Sequence, residues 1–185
     1  FEKYYGCEVF DCDTMLKEYL GYADQIRQYV KDTNYSANLY VKEGKKVLFE
    51  GAQAAMLDLD HGTYPFVTSS NPTAGGACTG SGVGPRRMEN IVGVVKAYTT
   101  RVGAGPFPAE QNNEIGEYLR NTGHEFGTVT GRPRRCGWLD TAVVKYAAML
   151  NSLDYLAITR LDILDDLDTI KICTGYKYQG ELLKE

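Results

Sequence analysis

The sequence lacks the residue patterns of disulfide-rich and zinc-binding proteins. It has only two histidines, and neither belongs to a set of His and Cys residues with the spacing of a zinc site. Its cysteines are odd in number, lie far apart and include no Cys-x-x-Cys pair. Because disulfides persist mainly in oxidising compartments, this pattern predicts reduced thiols in a cytosolic protein. The histidines are His61 and His124, and the five cysteines are Cys7, Cys12, Cys78, Cys136 and Cys173.

Excess positive charge and long apolar runs are also missing. Twenty basic and 24 acidic side chains leave a net charge of −4, so no general attraction to nucleic acids or anionic membranes is expected. No apolar run is long enough to span a bilayer, and no signal peptide is recognisable, which favours the cytoplasm. Any binding of anions must then depend on a local cluster of cations.

The chain length suits one domain. With 185 residues, the range 1–185 is expected to form a single unit with a sizeable core, without internal repeats or low-complexity linkers. The sequence starts at Phe1 without an initiator methionine and stops at Glu185, directly after a strand-like segment. These ends predict that the chain is a piece of a longer protein.

Apolar periodicity indicates helices that alternate with short strands. This alternation is typical of an α/β domain with a mainly parallel sheet flanked by helices. Ligands bind such sheets beyond the carboxyl ends of the strands, where Gly51, Val102 and Arg160 fall. Helices are expected at 16–30, 85–91, 113–121 and 140–150, the first of them capped at Asp13 and Thr14 and ended by 32–34. Strands are expected at 47–50, 91–98, 155–158 and 169–173, and irregular structure at 62–84.

The most informative local feature is a cluster of arginines between Thr128 and Arg135. Arg132, Arg134 and Arg135 carry planar guanidinium groups that suit carboxylate or phosphate oxygens. A glycine and a proline stiffen the loop that carries them. Since an apolar periodic run follows, the loop is expected to end at a helix N-terminus, which also attracts anions. The alternative interpretation is an ordinary solvated basic loop.

A glycine-rich segment from Gly75 to Gly84 suggests a phosphate-binding loop but has no lysine, which such a loop requires. A mobile or close-packed stretch of backbone is therefore the favoured interpretation.

The segment from Thr159 to Asp162 is more informative. Asp162 can accept hydrogen bonds from both the ring N–H and the amino group of guanine, and the stem of Arg160 can lie over the base. A surface aspartate in a turn is the alternative.

Other polar side chains are individually ordinary. Gln53 can both donate to and accept from a purine or ribose, and Thr68 can donate to a phosphate. Each could instead bond to the local backbone. Asp58, Asp60 and His61 are close enough in sequence for acid–base or metal chemistry, but a structural or solvated role is the expected one.

Taken together, five segments resemble the adenylosuccinate synthase family in their order and spacing. The resemblance covers about residues 45–178, and the N-terminal forty-odd residues are less diagnostic. Members of the family are more than twice as long as this chain, so the resemblance implies a central or C-terminal fragment. The five segments are Val47–Gln53, Leu57–Asn71, Thr100–Pro108, Thr130–Asp140 and Thr159–Asp165.

The resemblance implies a P-loop-NTPase-like architecture and a role in AMP synthesis. The parent enzyme would be a GTP-dependent ligase that joins IMP and L-aspartate through a 6-phosphoryl-IMP intermediate, with Mg²⁺ as cofactor and a homodimer as its assembly. Arginines suit this chemistry, because phosphoryl transfer depends chiefly on positioning and charge stabilisation. A loop that closes over aspartate would also exclude water from the intermediate.

The resemblance assigns roles to individual positions of this sequence. Val102 matches a backbone contact near the IMP ribose, Arg132 an arginine serving both IMP and the aspartate carboxylate, and Arg134 an arginine that also reaches the GTP phosphates. The full sets are Gln53, Thr68, Val102 and Arg132 for IMP; Thr128, Val129, Thr130, Gly131, Arg132, Pro133 and Arg134 for the aspartate loop; and Arg134, Arg160, Leu161 and Asp162 for GTP.

The sequence departs from the family pattern at a few positions. Arg160 stands where lysine is usual, which changes the geometry of the cationic head at the guanine site. Val129 and Pro133 replace the commoner threonine and basic residue. The phosphate-binding segment, the catalytic aspartate and histidine, the magnesium ligands and the arginine donated across the dimer have no match here. The fragment alone is therefore expected to be inactive.

Two other classes of function stay open at this point. One is a non-catalytic module that binds purine nucleotides and has lost its phosphate-binding loop. The other is a GTPase-like switch, which depends on Thr159–Asp162 alone.

Overall fold

The computed structural model describes residues 2–6 and 10–183. The described residues before Val92 form only helices and 3₁₀ turns as regular elements, and strands and helices alternate from Val92 onwards, which confirms the predicted α/β class. Cys7 lies outside the described residues, and the other four cysteines are free thiols, as expected. The helices are α1 (Glu2–Tyr5), α2 (Cys12–Ile26), α3 (Thr33–Lys42), α4 (Ala74–Ser81), α5 (Glu114–Thr122) and α6 (Thr141–Asn151), with 3₁₀ turns at Arg27–Tyr29, Ala55–Leu57, Pro85–Arg87 and Leu161–Leu164.

The strands form one parallel pair, one mixed three-stranded sheet and one hairpin in the described part of the chain. The first pair, β1 with β4, is parallel, and β3 pairs in parallel with β5 but antiparallel with β2. Parallel pairing, which was expected from the sequence, therefore occurs together with antiparallel pairing. The strands are β1 (Val92–Lys96), β2 (Tyr98–Arg101), β3 (Arg135–Asp140), β4 (Tyr155–Thr159), β5 (Ile172–Cys173), β6 (Lys177–Tyr178) and β7 (Glu181–Leu182).

The register of β1 and β4 determines where several polar residues meet. Lys96 is paired with Thr159, so the two strands end side by side and Arg160 follows directly. The predicted strand 91–98 is divided at Ala97, whose N–H donates to the Thr159 carbonyl oxygen at 2.8 Å. Beyond this point the chain leaves β4 and pairs with β3 instead. The carboxyl ends of β1 and β4 thus lie next to the start of β2.

Side-chain caps explain where the best-predicted helices begin. Asn113 precedes α5 and Asp140 precedes α6, and each accepts hydrogen bonds from the second and third N–H groups of its helix. Such a cap satisfies N–H groups that have no partner within the helix. The cap of α2 is Asp11, so the prediction of Asp13 and Thr14 was wrong, because both lie inside the helix.

Three sequence-based expectations about elements were wrong for identifiable reasons. Residues 47–50 are not a strand, since β-propensity without a neighbouring strand does not form a ladder. Residues 32–34 begin α3 rather than ending α2, because the Asp32 side chain accepts from the Tyr35 N–H at 3.0 Å. The range 85–91 contains only a 3₁₀ turn at Pro85–Arg87.

The glycine-rich segment is a helix rather than an irregular loop. It contains α4, and Gly76 in that helix lies directly against the backbone of Asn71. A Cβ atom at position 76 would lie 1.8 Å from the Asn71 carbonyl oxygen, so a side chain cannot be accommodated there. The glycine thus serves close packing of backbone, which is one of the two interpretations favoured from the sequence.

The buried core includes residues next to the arginine-rich segment and residues of the turn after β4. It joins the start of β2, the inner face of α5, strand β3 and the 3₁₀ turn that follows β4. Burial of this apolar surface fixes the backbone from which the site residues project. No helix in residues 2–6 and 10–183 has the length and apolar character needed to cross a membrane. The core residues are Ala97, Tyr98, Leu119, Cys136, Ile163 and Leu164.

Candidate nucleotide-binding site

The arginine-rich segment is a turn closed by main-chain hydrogen bonds. The N–H of Gly127 donates to Arg132 O at 2.9 Å, and the N–H of Arg134 donates to Glu125 O at 2.9 Å. Gly131 has a φ of 63°, a left-handed conformation that glycine adopts without steric cost. The segment then runs into β3, and α6 begins only at Thr141. The expectation of a helix N-terminus at the end of this loop was therefore wrong.

The three arginines of the cluster have different surroundings. The exposed guanidinium of Arg132 has no hydrogen-bond or ion-pair partner within the described part of the chain. Arg134 is half-buried and pairs with Glu125, its Nη1 lying 2.7 Å from Oε2. All three side-chain nitrogens of Arg135 donate hydrogen bonds within the protein, to the Glu110 carboxylate and to two backbone carbonyl oxygens. The structure thus leaves Arg132 and part of Arg134 facing outward, whereas Arg135 stabilises the loop 103–110.

Glu125 is the centre of a buried polar cluster that was not predicted from the sequence. Its side chain is only 3% exposed, and its Oε1 accepts from Lys96 Nζ at 2.7 Å and from the Tyr98 hydroxyl at 2.6 Å. Its Oε2 accepts from Arg134. A glutamate between a helix and a turn carries no sequence signal for burial. The one sequence feature that could have indicated a buried acidic partner was Lys96, a cation at the end of an apolar strand.

The electrostatics of this cluster follow from burial opposed by hydrogen bonding. Burial by itself raises the pKa of Glu125, but hydrogen bonds from Lys96, Tyr98 and Arg134 outweigh it and hold the pKa below its usual value. Burial and the hydrogen bond to Glu125 raise the pKa of Tyr98 to about 12. The glutamate is thus a carboxylate and the tyrosine a neutral donor at neutral pH.

The turn after β4 presents an aspartate while its arginine points inward. Arg160 has a φ of 62°, and its Nη2 donates to the Gly123 carbonyl oxygen. Its Nε is buried and has no acceptor within the described residues. Asp162 and Leu161 are exposed at the start of the 3₁₀ turn, and among those residues the Asp162 carboxylate accepts no hydrogen bond. The structure thus leaves Asp162 accessible to a base, whereas the head of Arg160 is held by the protein.

Gln53 and Thr68 are brought together by a residue that the sequence analysis did not single out. The Ser70 hydroxyl donates to Gln53 Oε1 at 2.9 Å and lies 3.0 Å from Thr68 Oγ1. Thr68 Oγ1 also donates to Leu57 O at 3.1 Å, so its hydroxyl already serves the local backbone. Gln53 has a φ of 69° and an exposed side chain.

The loop that carries Thr68 is attached to the end of β2, next to Val102. Arg101 Nη2 donates to Thr63 Oγ1 and to Phe66 O, both at 3.0 Å. Val102 follows directly and is 56% exposed. Two groups of predicted residues therefore emerge. Gln53, Thr68 and Val102 are connected through Ser70 and Arg101, and Arg134 and Arg160 are connected through the segment 123–125.

This geometry can be compared with known proteins. The family model of adenylosuccinate synthetase matches residues 1–185. The chain belongs to the adenylosuccinate synthetase family. The sequence-based identification of the family is thereby confirmed.

Relatives and solved structures of adenylosuccinate synthetase agree with this assignment. The protein of Brachyspira hyodysenteriae is 63% identical over 183 residues, covering 99% of this chain and 43% of that relative. That of Syntrophomonas wolfei is 58% identical over 184 residues, covering 100% and 43%. The fully ligated adenylosuccinate synthetase from Plasmodium falciparum superposes with a TM-score of 0.90 at 45% identity, over 99% of this chain and 44% of that chain. The predicted P-loop-NTPase-like α/β architecture is confirmed by this likeness.

A more distant structure shares the fold alone. The cyanophage S-2L succinoaminodeoxyadenylate synthetase, solved with dGMP and dATP, has a TM-score of 0.57 and 23% identity over 77% of this chain and 46% of that chain. The coverages given above for the adenylosuccinate synthetases show that this chain spans less than half the length of each of them.

In this member of the adenylosuccinate synthetase family, Asp58 organises a loop. It is fully buried and accepts from the N–H groups of Asp60 and His61 and from the side chains of Asn71 and Thr73, at 2.9 to 3.3 Å. Within residues 2–6 and 10–183, no three His, Cys, Asp or Glu side chains are grouped so as to hold a metal ion. The hydrogen bonds accepted by Asp58 show the structural role that was expected for it.

We expect Asp58→Asn to lower the free energy of unfolding by about 2–4 kcal/mol, since an amide cannot accept all the hydrogen bonds of a buried carboxylate. Burial alone raises the pKa of Asp58, but its hydrogen bonds outweigh this and hold the pKa below its usual value. Because the folded pKa is depressed, this stabilisation is present above the unfolded pKa and is lost as pH falls through the folded pKa. Urea unfolding of both proteins at pH 7 and at pH 3 measures both effects. Equal stabilities at pH 7 would contradict the assignment.

Proposed function

We propose that the whole protein is a GTP-dependent ligase that converts IMP and L-aspartate into adenylosuccinate, GDP and phosphate. Family membership supports this, and one observation in the site carries it. Arg132 extends from a hydrogen-bonded turn a guanidinium that has no partner among the described residues, and the neighbouring Arg134 pairs with Glu125. In a chain of net charge −4, this is a local cationic site suited to phosphate and carboxylate groups.

The proposed roles of individual residues follow the two groups that the structure connects. Gln53, Thr68 and Val102 contact IMP, with Ser70 holding the amide of Gln53 in place. The turn 128–134 closes over aspartate, with Arg132 bound to its carboxylate and to IMP, and Arg134 reaching the GTP phosphates. The turn 160–162 binds guanine through Asp162.

The proposed reaction has two displacement steps. IMP gives its N1 proton to a base as its 6-oxygen attacks the γ-phosphorus of GTP, so that an O–P bond forms and the bond to GDP breaks. The unprotonated amino nitrogen of aspartate then attacks C6 and loses a proton to solvent as the C6–O bond breaks, and phosphate leaves with the former 6-oxygen. Guanidinium groups stabilise the negative charge that moves in the first step, and closure of the turn 128–134 excludes water from the phosphorylated intermediate.

Other properties of the whole protein are proposed from the family alone. We propose that Mg²⁺ acts with GTP, that the protein is a cytoplasmic homodimer and that it binds no nucleic acid. Among the described residues, no three His, Cys, Asp or Glu side chains are grouped so as to hold a metal ion.

The decisive experiment is a product assay with the full-length protein. Adenylosuccinate should form only when IMP, GTP and L-aspartate are all present, and the absorbance change on conversion of IMP should match the phosphate released. Binding of IMP and GTP without any product would favour instead a non-catalytic module that binds purine nucleotides. GTP hydrolysis independent of IMP and aspartate would favour a GTPase-like switch.

We expect the chain of residues 1–185 alone to form no measurable adenylosuccinate and to hydrolyse no GTP. Its described residues contain neither a phosphate-binding loop with lysine nor a group of metal ligands. The measurement is the same product assay at enzyme concentrations a hundredfold above those needed for the full-length protein, roughly the range in which trace activity becomes visible. Turnover that scales with the concentration of the rigorously purified chain would contradict this.

A further inference from the structure

Glu125 is a buried carboxylate that makes none of the proposed contacts with a substrate. It is 2% exposed and therefore inaccessible to a substrate, yet it bonds to three side chains. Its oxygens are divided between them. Oε1 accepts from Lys96 and Tyr98, and Oε2 accepts from Arg134. A buried carboxylate is costly unless it is paired, so this arrangement calls for a physical explanation.

We infer that Glu125 is a positioning residue that fixes the orientation of Arg134 and joins the arginine turn to the guanine-binding turn. The carboxylate cannot rotate to follow Arg134 without breaking the hydrogen bonds from Lys96 and Tyr98, so Oε2 is a fixed acceptor for Nη1. The side chain of Arg134 is still 30% exposed, which leaves its remaining donors available to an anion. This inference rests on the proposed function, in which Arg134 reaches the GTP phosphates.

The segment from Gly123 to Glu125 holds both cations at once. The carbonyl oxygen of Gly123 accepts from Arg160, and two residues later the carboxylate of Glu125 accepts from Arg134. The Tyr98 hydroxyl, from the start of β2, donates to the same Glu125 carboxylate. Any shift of this segment therefore moves the arginine turn and the turn 160–162 together.

The charge of the cluster suits this role. Two cations, Lys96 and Arg134, form ion pairs with one carboxylate, and Arg160 is bound to the same segment at Gly123, so the cluster keeps an excess of positive charge. Without Glu125 the cations would repel one another and Arg134 would turn towards solvent. The carboxylate thus holds the cations together without cancelling their attraction for an anionic substrate.

A double-mutant cycle in the full-length protein tests the inference. Glu125→Gln should raise the KM for GTP about tenfold with a smaller change in kcat, and Glu125→Asp should restore part of the loss. Arg134→Ala should raise the KM further, and the double variant should resemble Arg134→Ala within about twofold, because Glu125 acts through Arg134. Effects that multiply in the double variant, or an Arg134→Ala enzyme with unchanged kinetics, would refute the positioning role.

The matched control is Glu110→Gln, which also removes a carboxylate from an ion pair with an arginine, Arg135, outside the substrate contacts. It should lower the thermal midpoint to a similar extent and leave the KM for GTP within about twofold. An increase in KM equal to that of Glu125→Gln would show general loosening of the fold and overturn the inference.

Hydrogen exchange separates failure of this inference from failure of the proposed function. The N–H groups of Gly127, Gly131 and Arg134 are hydrogen-bonded within the turn. They should exchange faster in Glu125→Gln but not in Glu110→Gln, whether or not the protein makes adenylosuccinate. If the unmodified protein forms no product but this difference is seen, the proposed function fails and the positioning of Arg134 stands. Equal exchange in the two variants refutes the positioning.

Discussion

Asp162→Asn should lower kcat/KM for GTP about 10–100-fold in the full-length protein, equivalent to about 1–3 kcal/mol for a mispaired polar group. The Asp162 carboxylate is exposed at the start of the turn after β4 and accepts no hydrogen bond from the described residues. Both donors of guanine, the ring N–H and the amino group, can therefore pair with it. An asparagine amide offers one acceptor and one donor, so one of these pairs becomes a contact between two donors.

The same chemistry gives a test of specificity. In xanthine an oxygen replaces the amino group of guanine, so its edge matches an amide better than a carboxylate. The ratio of kcat/KM for xanthosine triphosphate to that for GTP should therefore rise in Asp162→Asn. The control is Asp165→Asn, an exposed aspartate at the end of the same turn, which should leave the ratio unchanged. An unaltered preference for GTP over both ATP and xanthosine triphosphate in Asp162→Asn would rule out this base-recognition role.

Arg132→Leu should raise the KM for L-aspartate about 30–150-fold and slow turnover, corresponding to about 2–3 kcal/mol for a charge-assisted pair with a carboxylate. Arg132 has no internal partner among the described residues, so its removal breaks no contact of the fold. The thermal midpoint should therefore stay the same while the kinetics change. Steady-state rates at varied aspartate, with IMP and GTP saturating, measure the effect.

Arg87→Leu is the matched control for this prediction. Arg87 is also an exposed arginine, but it lies in the 3₁₀ turn before β1, apart from the arginine turn. It should leave the KM for aspartate within about twofold, since a solvated charge at a distance is screened. If Arg87→Leu and Arg132→Leu had the same effect, net charge rather than a specific contact would account for it.

The elements that could be predicted from the sequence are those defined by local signals. The helices α5 and α6 combine apolar periodicity with the caps Asn113 and Asp140, and β4 is a short apolar run that ends at a turn. Strand β3 could not be predicted in this way. It follows the arginine turn without a break, and its identity depends on pairing with β2, which lies far earlier in the chain.

The residues of the candidate site also divide into those with a local signal in the sequence and those without one. Arg132 and Asp162 could be identified because their residue types and the turns around them are visible in the sequence. The role of Arg135 in stabilising the loop 103–110 could not be predicted, because its partner Glu110 and the carbonyl oxygens of residues 103 and 105 come from a distant loop. Glu125, Lys96 and Ser70 were missed for the same reason, since only the folded chain brings them to their partners.

The polar cluster around Glu125 also has a consequence for synthesis on the ribosome. Its members come from positions separated by 29 residues between Lys96 and Glu125 and by 37 between Gly123 and Arg160. A nascent chain that has not yet released residue 160 from the exit tunnel therefore lacks one of the cations. The hydrogen bond between Arg160 and the Gly123 carbonyl oxygen can therefore form only after residue 160 has emerged.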